Sequence, residues 1–178
     1  MNRRDVCRLL AATAVAGPAL ATEARAMTKR RIPSSGAEIP VIGMGSSNTF
    51  DVADSAAATE PLREVLRALV KGGGTVIDTS PMYGRSETVL GDLIADLGLR
   101  PRLWLATKVW TRGREAGAAQ IADSMRRLRT DKLELLQIHN LLDWREHLPT
   151  LRSLASTGKV RYTGLTHYRA DAHVELER

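Results

Sequence analysis

The chain is poor in cysteine and in aromatic residues, and each shortage excludes a class of protein. Its 178 residues include one cysteine, one phenylalanine, three tryptophans and three tyrosines. A single cysteine cannot form a disulfide within the chain, which excludes a small domain held together by disulfides. Because 43% of the residues are hydrophobic, a disordered chain is excluded too. The length is sufficient for one domain with its own core.

The net charge of the chain is +6, but most of this positive excess lies in the first 31 residues. The first 31 residues contain seven basic and two acidic residues, and the remainder contains 19 basic and 18 acidic residues. This nearly neutral body has no basic patch of the kind that binds phosphate backbones. The sequence therefore predicts no nucleic-acid partner.

The apolar run at residues 9–20 is too short for a membrane span, but it is typical of an export signal. Arg3 and Arg4 precede it, which resembles a twin-arginine signal, and small residues allow cleavage after Ala21 or Ala26. We expect residues 1–26 to be a signal peptide and the protein to be periplasmic or secreted; cleavage after Ala26 would remove Cys7. The alternative is a basic amphipathic helix at the start of a cytoplasmic protein.

From residue 40 onward, short apolar runs alternate with longer amphipathic ones, and each helical run has apolar residues three and four positions apart. The predicted strands are residues 40–45, 75–80, 103–109, 133–139 and 160–166. The predicted helices are residues 61–71, 86–97, 117–129 and 145–156, and residues 31–39 form a predicted hairpin. Continuous apolar strands favour an α/β fold with a parallel sheet buried on both faces. Residues 27–178 form one predicted domain.

Polar residues lie at or near the carboxyl ends of four predicted strands. Asp78, Lys108, His139 and Thr166 are separated by 30, 31 and 27 residues, each about the length of one βα unit. In a parallel sheet they must meet at one rim, where α/β proteins build active sites. Each residue alone also fits a structural role, but charged groups at the ends of apolar strands are costly unless they pair or function.

Tyr83 follows Asp78 by five residues and belongs to the loop above the same rim. A tyrosine beside a lysine is a candidate general acid, because a nearby cation stabilises the phenolate. Asp78 would hold Lys108 in place, and His139 would donate a hydrogen bond to a substrate oxygen. Trp110, just beyond Lys108, is a candidate for lining the substrate pocket. The histidines show no metal-ligand spacing, so we predict no metal.

These residues resemble the aldo/keto reductases. The resemblance rests on the segment from Asp78 to Gly84 (DTSPMYG), on a lysine 25 residues after Tyr83, and on a histidine 31 residues further. It covers about residues 32–168 and implies a (β/α)8 barrel whose lower end is closed by the hairpin. It also implies Asp78, Tyr83, Lys108 and His139 as the catalytic residues, with Tyr83 as proton donor.

The resemblance further implies NADPH, or NADH, as hydride source, with Ser46, Asp78, Thr166 and His167 as cofactor-binding residues. Two positions depart from the family pattern. A Thr166-His167 pair stands where the family has Ser-Asn, which alters the partner of the nicotinamide amide. The segment Gly45-Ser46-Ser47 lacks a tryptophan common in the family, which predicts a more open substrate pocket.

The length sets a further expectation, because a complete barrel takes about 250 residues. About five strands are expected here, so we expect a truncated barrel with weak or no reductase activity and weak NADPH binding. Two alternatives remain open. One is a half-barrel that binds or assembles without catalysis, and the other is an aldolase or isomerase that forms a Schiff base through Lys108.

Overall fold

The computed structural model describes residues 27–177, in which strands and helices alternate after an amino-terminal hairpin. The strands are β1 (Lys29–Arg31), β2 (Glu38–Pro40), β3 (Met44–Gly45), β4 (Val76–Asp78), β5 (Trp104–Val109), β6 (Leu133–His139) and β7 (Val160–Thr166). The helices are α1 (Ala56–Lys71), α2 (Ser86–Asp96), α3 (Arg114–Arg127), α4 (Trp144–Ser156) and α5 (His173–Leu176), with 3-10 turns at Arg100–Arg102 and Ala170–Ala172. The predicted signal peptide lies outside the described residues and stays a prediction.

Strands β3 to β7 form one parallel sheet in sequential order, and β1 and β2 form a separate antiparallel pair. This confirms the predicted fold class. The predicted bounds of β6 and β7 match those observed. The hairpin lies at the amino-terminal end of the sheet, where the Ser35 hydroxyl is 2.6 Å from the hydroxyl of Tyr162.

The predicted first strand is wrong over most of its length. The apolar run at residues 40–45 is divided, because Pro40 pairs with Lys29 in the hairpin and only Met44–Gly45 joins the large sheet. The intervening Val41 and Ile42 are 44% and 61% exposed. The single apolar run therefore contributes to two short strands, β2, which pairs with β1, and β3, which pairs with β4.

The first helix begins five residues before the prediction, which placed its start at Pro61. Ser55 caps the helix, and its side chain accepts a hydrogen bond from the backbone N–H of Ala58 at 3.3 Å. The predicted end is confirmed, because Lys71 is the last helical residue and Gly72 caps it. The helix buries Leu62 and Leu66 against the sheet.

The core lies between the sheet and the helices that cover its outer face. It consists mainly of aliphatic side chains that are almost fully buried, among them Leu66, Leu90, Leu105, Leu136, Ile138 and Leu151. Helices α2 and α3 approach closely at Gly91, where an added Cβ would overlap the carbonyl group of Arg127. This packing fixes the strands, and hence their carboxyl ends, relative to one another.

Glu87 is a buried carboxylate behind the sheet, between α2 and α3. Its side chain has no exposed surface, Thr107 of β5 donates a hydrogen bond to its Oε1 at 2.6 Å, and a guanidinium nitrogen of Arg127 lies 3.6 Å from its Oε2. Burial raises the pKa of this carboxyl, and the Thr107 hydrogen bond and the Arg127 charge offset part of that rise. Glu87 therefore joins the helix that follows the Tyr83 loop to the strand that carries Lys108.

The substitution Glu87→Gln is expected to flatten the pH dependence of stability. A carboxyl whose pKa is higher in the folded than in the unfolded state stabilises the fold fully below its unfolded pKa, and this stabilisation is lost as the pH rises through the folded pKa. The urea midpoint of the wild type should therefore fall relative to that of Glu87→Gln as the pH rises above the ordinary pKa of a glutamate. The control Glu64→Gln, at a side chain 66% exposed, should follow the wild type. Equal changes in all three proteins would contradict this account of Glu87.

Candidate active site

The carboxyl ends of neighbouring strands bring the predicted site residues to one rim. Asp78 is the last residue of β4, His139 the last of β6 and Thr166 the last of β7, while Lys108 is the penultimate residue of β5. The register places Gly45 beside Asp78 and His139 beside Thr166. We call Asp78, Tyr83, Lys108 and His139 the rim cluster.

Lys108 and Asp78 form an ion pair at the centre of the rim cluster. The Lys108 Nζ donates to Asp78 Oδ2 at 2.6 Å and to the carbonyl oxygen of Thr79 at 2.9 Å. The lysine side chain is 6% exposed and the aspartate side chain 40% exposed. A buried ammonium group is costly unless charged and polar partners replace its water, and these two oxygens do so. The predicted pairing of Asp78 with Lys108 is confirmed.

Tyr83 lies above this ion pair, in the loop between β4 and α2. Its backbone N–H donates to the carbonyl of Ser80 at 3.0 Å, which closes a turn. The Lys108 Nζ lies 5.2 Å from the centre of the tyrosine ring, and the ring meets the His139 ring edge-on with centroids 6.1 Å apart. The loop thus brings the phenol to the cation and to the imidazole, as the spacing predicted.

Gly84 allows the Tyr83 loop to take this path. Its φ is +54°, and an added Cβ would overlap the carboxylate of Asp51. That carboxylate accepts the backbone N–H of Arg85 at 2.9 Å. The close approach of Asp51 therefore requires glycine at this position and anchors the loop from outside the rim.

His139 is a buried imidazole on the other side of the tyrosine, 9% exposed. Its Nδ1 lies 3.2 Å from the Ser80 hydroxyl oxygen. Burial lowers the pKa of His139, the charge of Lys108 lowers it further, and the carboxylate of Asp78 opposes both effects. On balance these effects favour the neutral ring, in which one ring nitrogen donates and the other accepts.

Three further residues support the site although no sequence pattern predicted them: Ser80, Gln120 and His147. Gln120 holds the backbone of Trp110 on both sides, accepting its N–H at 2.6 Å and donating to its carbonyl at 3.2 Å. The His147 Nε2 lies 2.8 Å from the carbonyl oxygen of Thr111. These contacts fix the loop after β5 and hold the Trp110 ring 6.5 Å from the His139 ring.

The predicted cofactor-binding residues lie along the same rim. Ser46 is fully buried, and its backbone N–H donates to the carbonyl of Asp78 at 3.0 Å. Its hydroxyl has no hydrogen-bond partner within residues 27–177, so a polar group of a bound cofactor fits the chemistry of this position. Thr166 lies next to His139 across the strand pair. In contrast, His167 Nδ1 accepts the backbone N–H of Arg169 at 3.0 Å, so that nitrogen is engaged within its own loop.

Neither a metal-binding cluster nor a membrane-spanning helix is found among residues 27–177. Residues 27–177 contain no group of three or more histidine, cysteine, aspartate or glutamate side chains arranged to hold a metal ion. Across the same range, every helix is too short or too polar to cross a bilayer.

Comparison with curated proteins identifies relatives that share about a third of the aligned residues. The methylglyoxal reductase YeaE of Escherichia coli is 31% identical over 148 residues, which are 79% of this chain and 50% of the relative. The glyoxal reductase of Bacillus subtilis is 32% identical over 146 residues, with the same two coverages. The chain spans about half the length of these curated relatives.

Solved structures of similar fold are aldo/keto reductases. The aldo/keto reductase of Klebsiella pneumoniae, in complex with NADP and acetate, has a TM-score of 0.67 and is 32% identical, covering 80% of this chain and 51% of that one. A further structure of an aldo-keto reductase from the same organism, in complex with NADPH, has the same TM-score and identity. The family model for aldo/keto reductases matches residues 41–178. Because this match covers most of the chain and includes the whole rim cluster, the chain belongs to the aldo/keto reductase family.

Proposed function

We propose that this chain provides the catalytic rim of an NADPH-dependent reductase that converts aldehydes or ketones to alcohols. The observation that supports this most directly is the buried Lys108 ammonium, held between the carboxylate of Asp78 and the ring of Tyr83. A general acid must be positioned to deliver its proton in the transition state, and the Lys108 ammonium places a positive charge 5.2 Å from the centre of the tyrosine ring. Tyr83 is then the proton donor to the oxygen of the substrate carbonyl.

The other rim residues orient the reaction. His139 is neutral and lies beside the tyrosine, so its ring can donate a hydrogen bond to the carbonyl oxygen and hold it near the phenol. Asp78 holds the lysine in place through their ion pair. NADPH, when bound, supplies the hydride that is added to the carbonyl carbon. Ser46, Asp78, Thr166 and His167 are the residues of this chain proposed to hold it.

The proposed substrates are small carbonyl compounds. The relatives named above are a methylglyoxal reductase and a glyoxal reductase. The segment Gly45-Ser46-Ser47 places only small side chains beside Asp78, which favours an open pocket. Trp110, 40% exposed and fixed by Gln120, offers an apolar wall for the substrate.

The 178-residue chain alone is expected to bind NADPH weakly, with a dissociation constant above the micromolar range. Its rim provides contacts for the nicotinamide end, and affinity for a dinucleotide also depends on contacts to its phosphates and adenosine. Titration of the chain with NADPH, followed by tryptophan fluorescence, measures this constant. Saturation at micromolar NADPH would contradict the expectation.

The test of the proposed activity is a chimera that supplies a complete barrel. Residues 27–177 replace the corresponding part of the Klebsiella pneumoniae reductase, and NADPH oxidation is followed with methylglyoxal and with propanal. We expect aldehyde-dependent oxidation of NADPH. A folded chimera that binds NADPH and reduces neither aldehyde would contradict the proposal.

The two alternatives differ in their support. A Schiff base requires a lysine nitrogen with a free lone pair, whereas the Lys108 ammonium donates to Asp78 and to the Thr79 carbonyl. These contacts favour the role of cation over that of nucleophile. The assembly alternative is distinguished by the solution mass of the chain, because a well-folded monomer argues against it.

A further inference from the structure

The hydroxyl group of Ser80 is buried between a backbone N–H and the imidazole of His139. Ser80 has no exposed surface. Its oxygen lies 3.5 Å from the backbone nitrogen of Met82, a long contact, and 3.2 Å from Nδ1 of His139. Ser80 follows Asp78, the last residue of β4, by two residues.

The donors and acceptors around the Ser80 hydroxyl determine which partner donates the hydrogen bond between Ser80 and His139. The N–H of Met82 can only donate, so it occupies a lone pair of the serine oxygen. Among the hydrogen bonds of residues 27–177, His139 Nδ1 is the remaining partner of this hydroxyl. If Nδ1 carried a hydrogen, the serine hydrogen would be buried without an acceptor, which is costly. The favoured arrangement has the serine donating to an unprotonated Nδ1.

We propose that Ser80 is a positioning residue that selects the His139 tautomer with its hydrogen on Nε2. The hydrogen bond from Ser80 occupies Nδ1, so the neutral ring keeps its single N–H on the opposite nitrogen. It also fixes the plane of the ring beside Tyr83. This role deepens the proposed function, because the Nε2–H is then the group that donates to a substrate carbonyl oxygen.

Burial and charge support the same state of the ring. His139 is 9% exposed, and the Lys108 ammonium opposes a second positive charge nearby, although the Asp78 carboxylate favours one. His167 also contributes to lowering the pKa of His139. A ring held neutral has one donor, and the proposed contact from Ser80 decides which nitrogen that is.

The test is 15N NMR of the histidine side chains in the full chain at pH 7, without cofactor or substrate. Comparison with His139→Gln assigns the His139 signals. We expect the shift of an unprotonated nitrogen for Nδ1 and of a protonated nitrogen for Nε2. A protonated Nδ1 in the wild-type protein would overturn the proposal.

The variant Ser80→Ala tests whether the Ser80 hydroxyl selects the His139 tautomer. Without the hydroxyl, we expect the two His139 tautomers to mix, and we expect the pKa of His139 to rise because the serine hydrogen bond favours the neutral ring. The matched control is Thr79→Val, which removes a neighbouring buried hydroxyl that has no partner within residues 27–177 and should leave the His139 signals unchanged. Identical His139 signals in Ser80→Ala and the wild type would also overturn the proposal. Because the measurement needs no turnover, its result is independent of whether the chain is a reductase.

Discussion

Replacing Tyr83 with phenylalanine is expected to lower the rate of aldehyde reduction in the chimera by about 10²–10⁴-fold, the usual contribution of a positioned general acid. The substitution removes the phenol hydroxyl and keeps the ring that contacts Lys108 and His139. Folding and NADPH binding should therefore change little. The rate constant is measured by NADPH oxidation at saturating propanal.

The matched control for this experiment is Tyr168→Phe. Tyr168 is 81% exposed and stacks on His167 beyond the end of β7. Removing the Tyr168 hydroxyl should leave the rate of aldehyde reduction within about twofold of that of the unmodified chimera, because this phenol is not part of the rim cluster. Equal rates of aldehyde reduction for Tyr83→Phe and the unmodified chimera would show that Tyr83 is not the proton donor.

The second large effect is expected on stability, where Asp78→Asn should cost more than Lys108→Met. Asparagine leaves the Lys108 ammonium, 6% exposed, buried without its counter-ion, which is expected to cost about 3 kcal/mol of unfolding free energy. Methionine removes the buried charge and leaves an aspartate that is 40% exposed and accessible to water. Its cost is expected to be about 1 kcal/mol, from the unpaired carbonyl of Thr79.

Urea unfolding of the full chain, followed by circular dichroism, measures this difference. The control is Arg31→Met, which breaks a pair with Glu38 whose side chains are 77% and 51% exposed, and which should change the stability by less than about 1 kcal/mol. Equal losses for Asp78→Asn and Lys108→Met, or a larger loss for Lys108→Met, would contradict the assignment of Lys108 as a buried cation that depends on Asp78.

The rim cluster was predictable from the sequence because of its position in the strand pattern. Asp78, Lys108 and His139 each follow an apolar run and are separated by one βα unit, so a parallel sheet had to place them together. Tyr83 followed from the short loop after β4. The structure confirms that these four residues are neighbours, while their catalytic roles remain the proposal to be tested.

The supporting contacts were not predictable, because they join residues that are distant in sequence. Ser80 reaches His139 across two strand positions in the sheet, and the distance depends on the register of β4, β5 and β6. Gln120 reaches the backbone of Trp110 because α3 begins at Arg114, whereas its predicted start was residue 117. No spacing rule identifies a side chain that binds a backbone group ten residues away.

The predicted starts of two further elements, the first helix and the first strand of the large sheet, were wrong. Pro61 was interpreted as the start of a helix, although the cap is Ser55, because proline is also tolerated in the early part of a helix. Pro40 was placed in a strand of the large sheet, although its backbone pairs with Lys29. In both cases the composition indicated the type of element correctly, but the helix begins at its Ser55 cap and Pro40 pairs within the hairpin.

The central claim is that residues of this chain deliver the proton that accompanies hydride transfer. It is tested most directly by one turnover of the chimera with propanal and NADPH deuterated at the transferring position of C4. The claim predicts one deuterium on the carbonyl carbon of the alcohol for each NADPH oxidised, in a reaction about 10²–10⁴-fold slower with Tyr83→Phe. Oxidation of NADPH without deuterium in the alcohol, or a transfer rate unaffected by Tyr83→Phe, would contradict it.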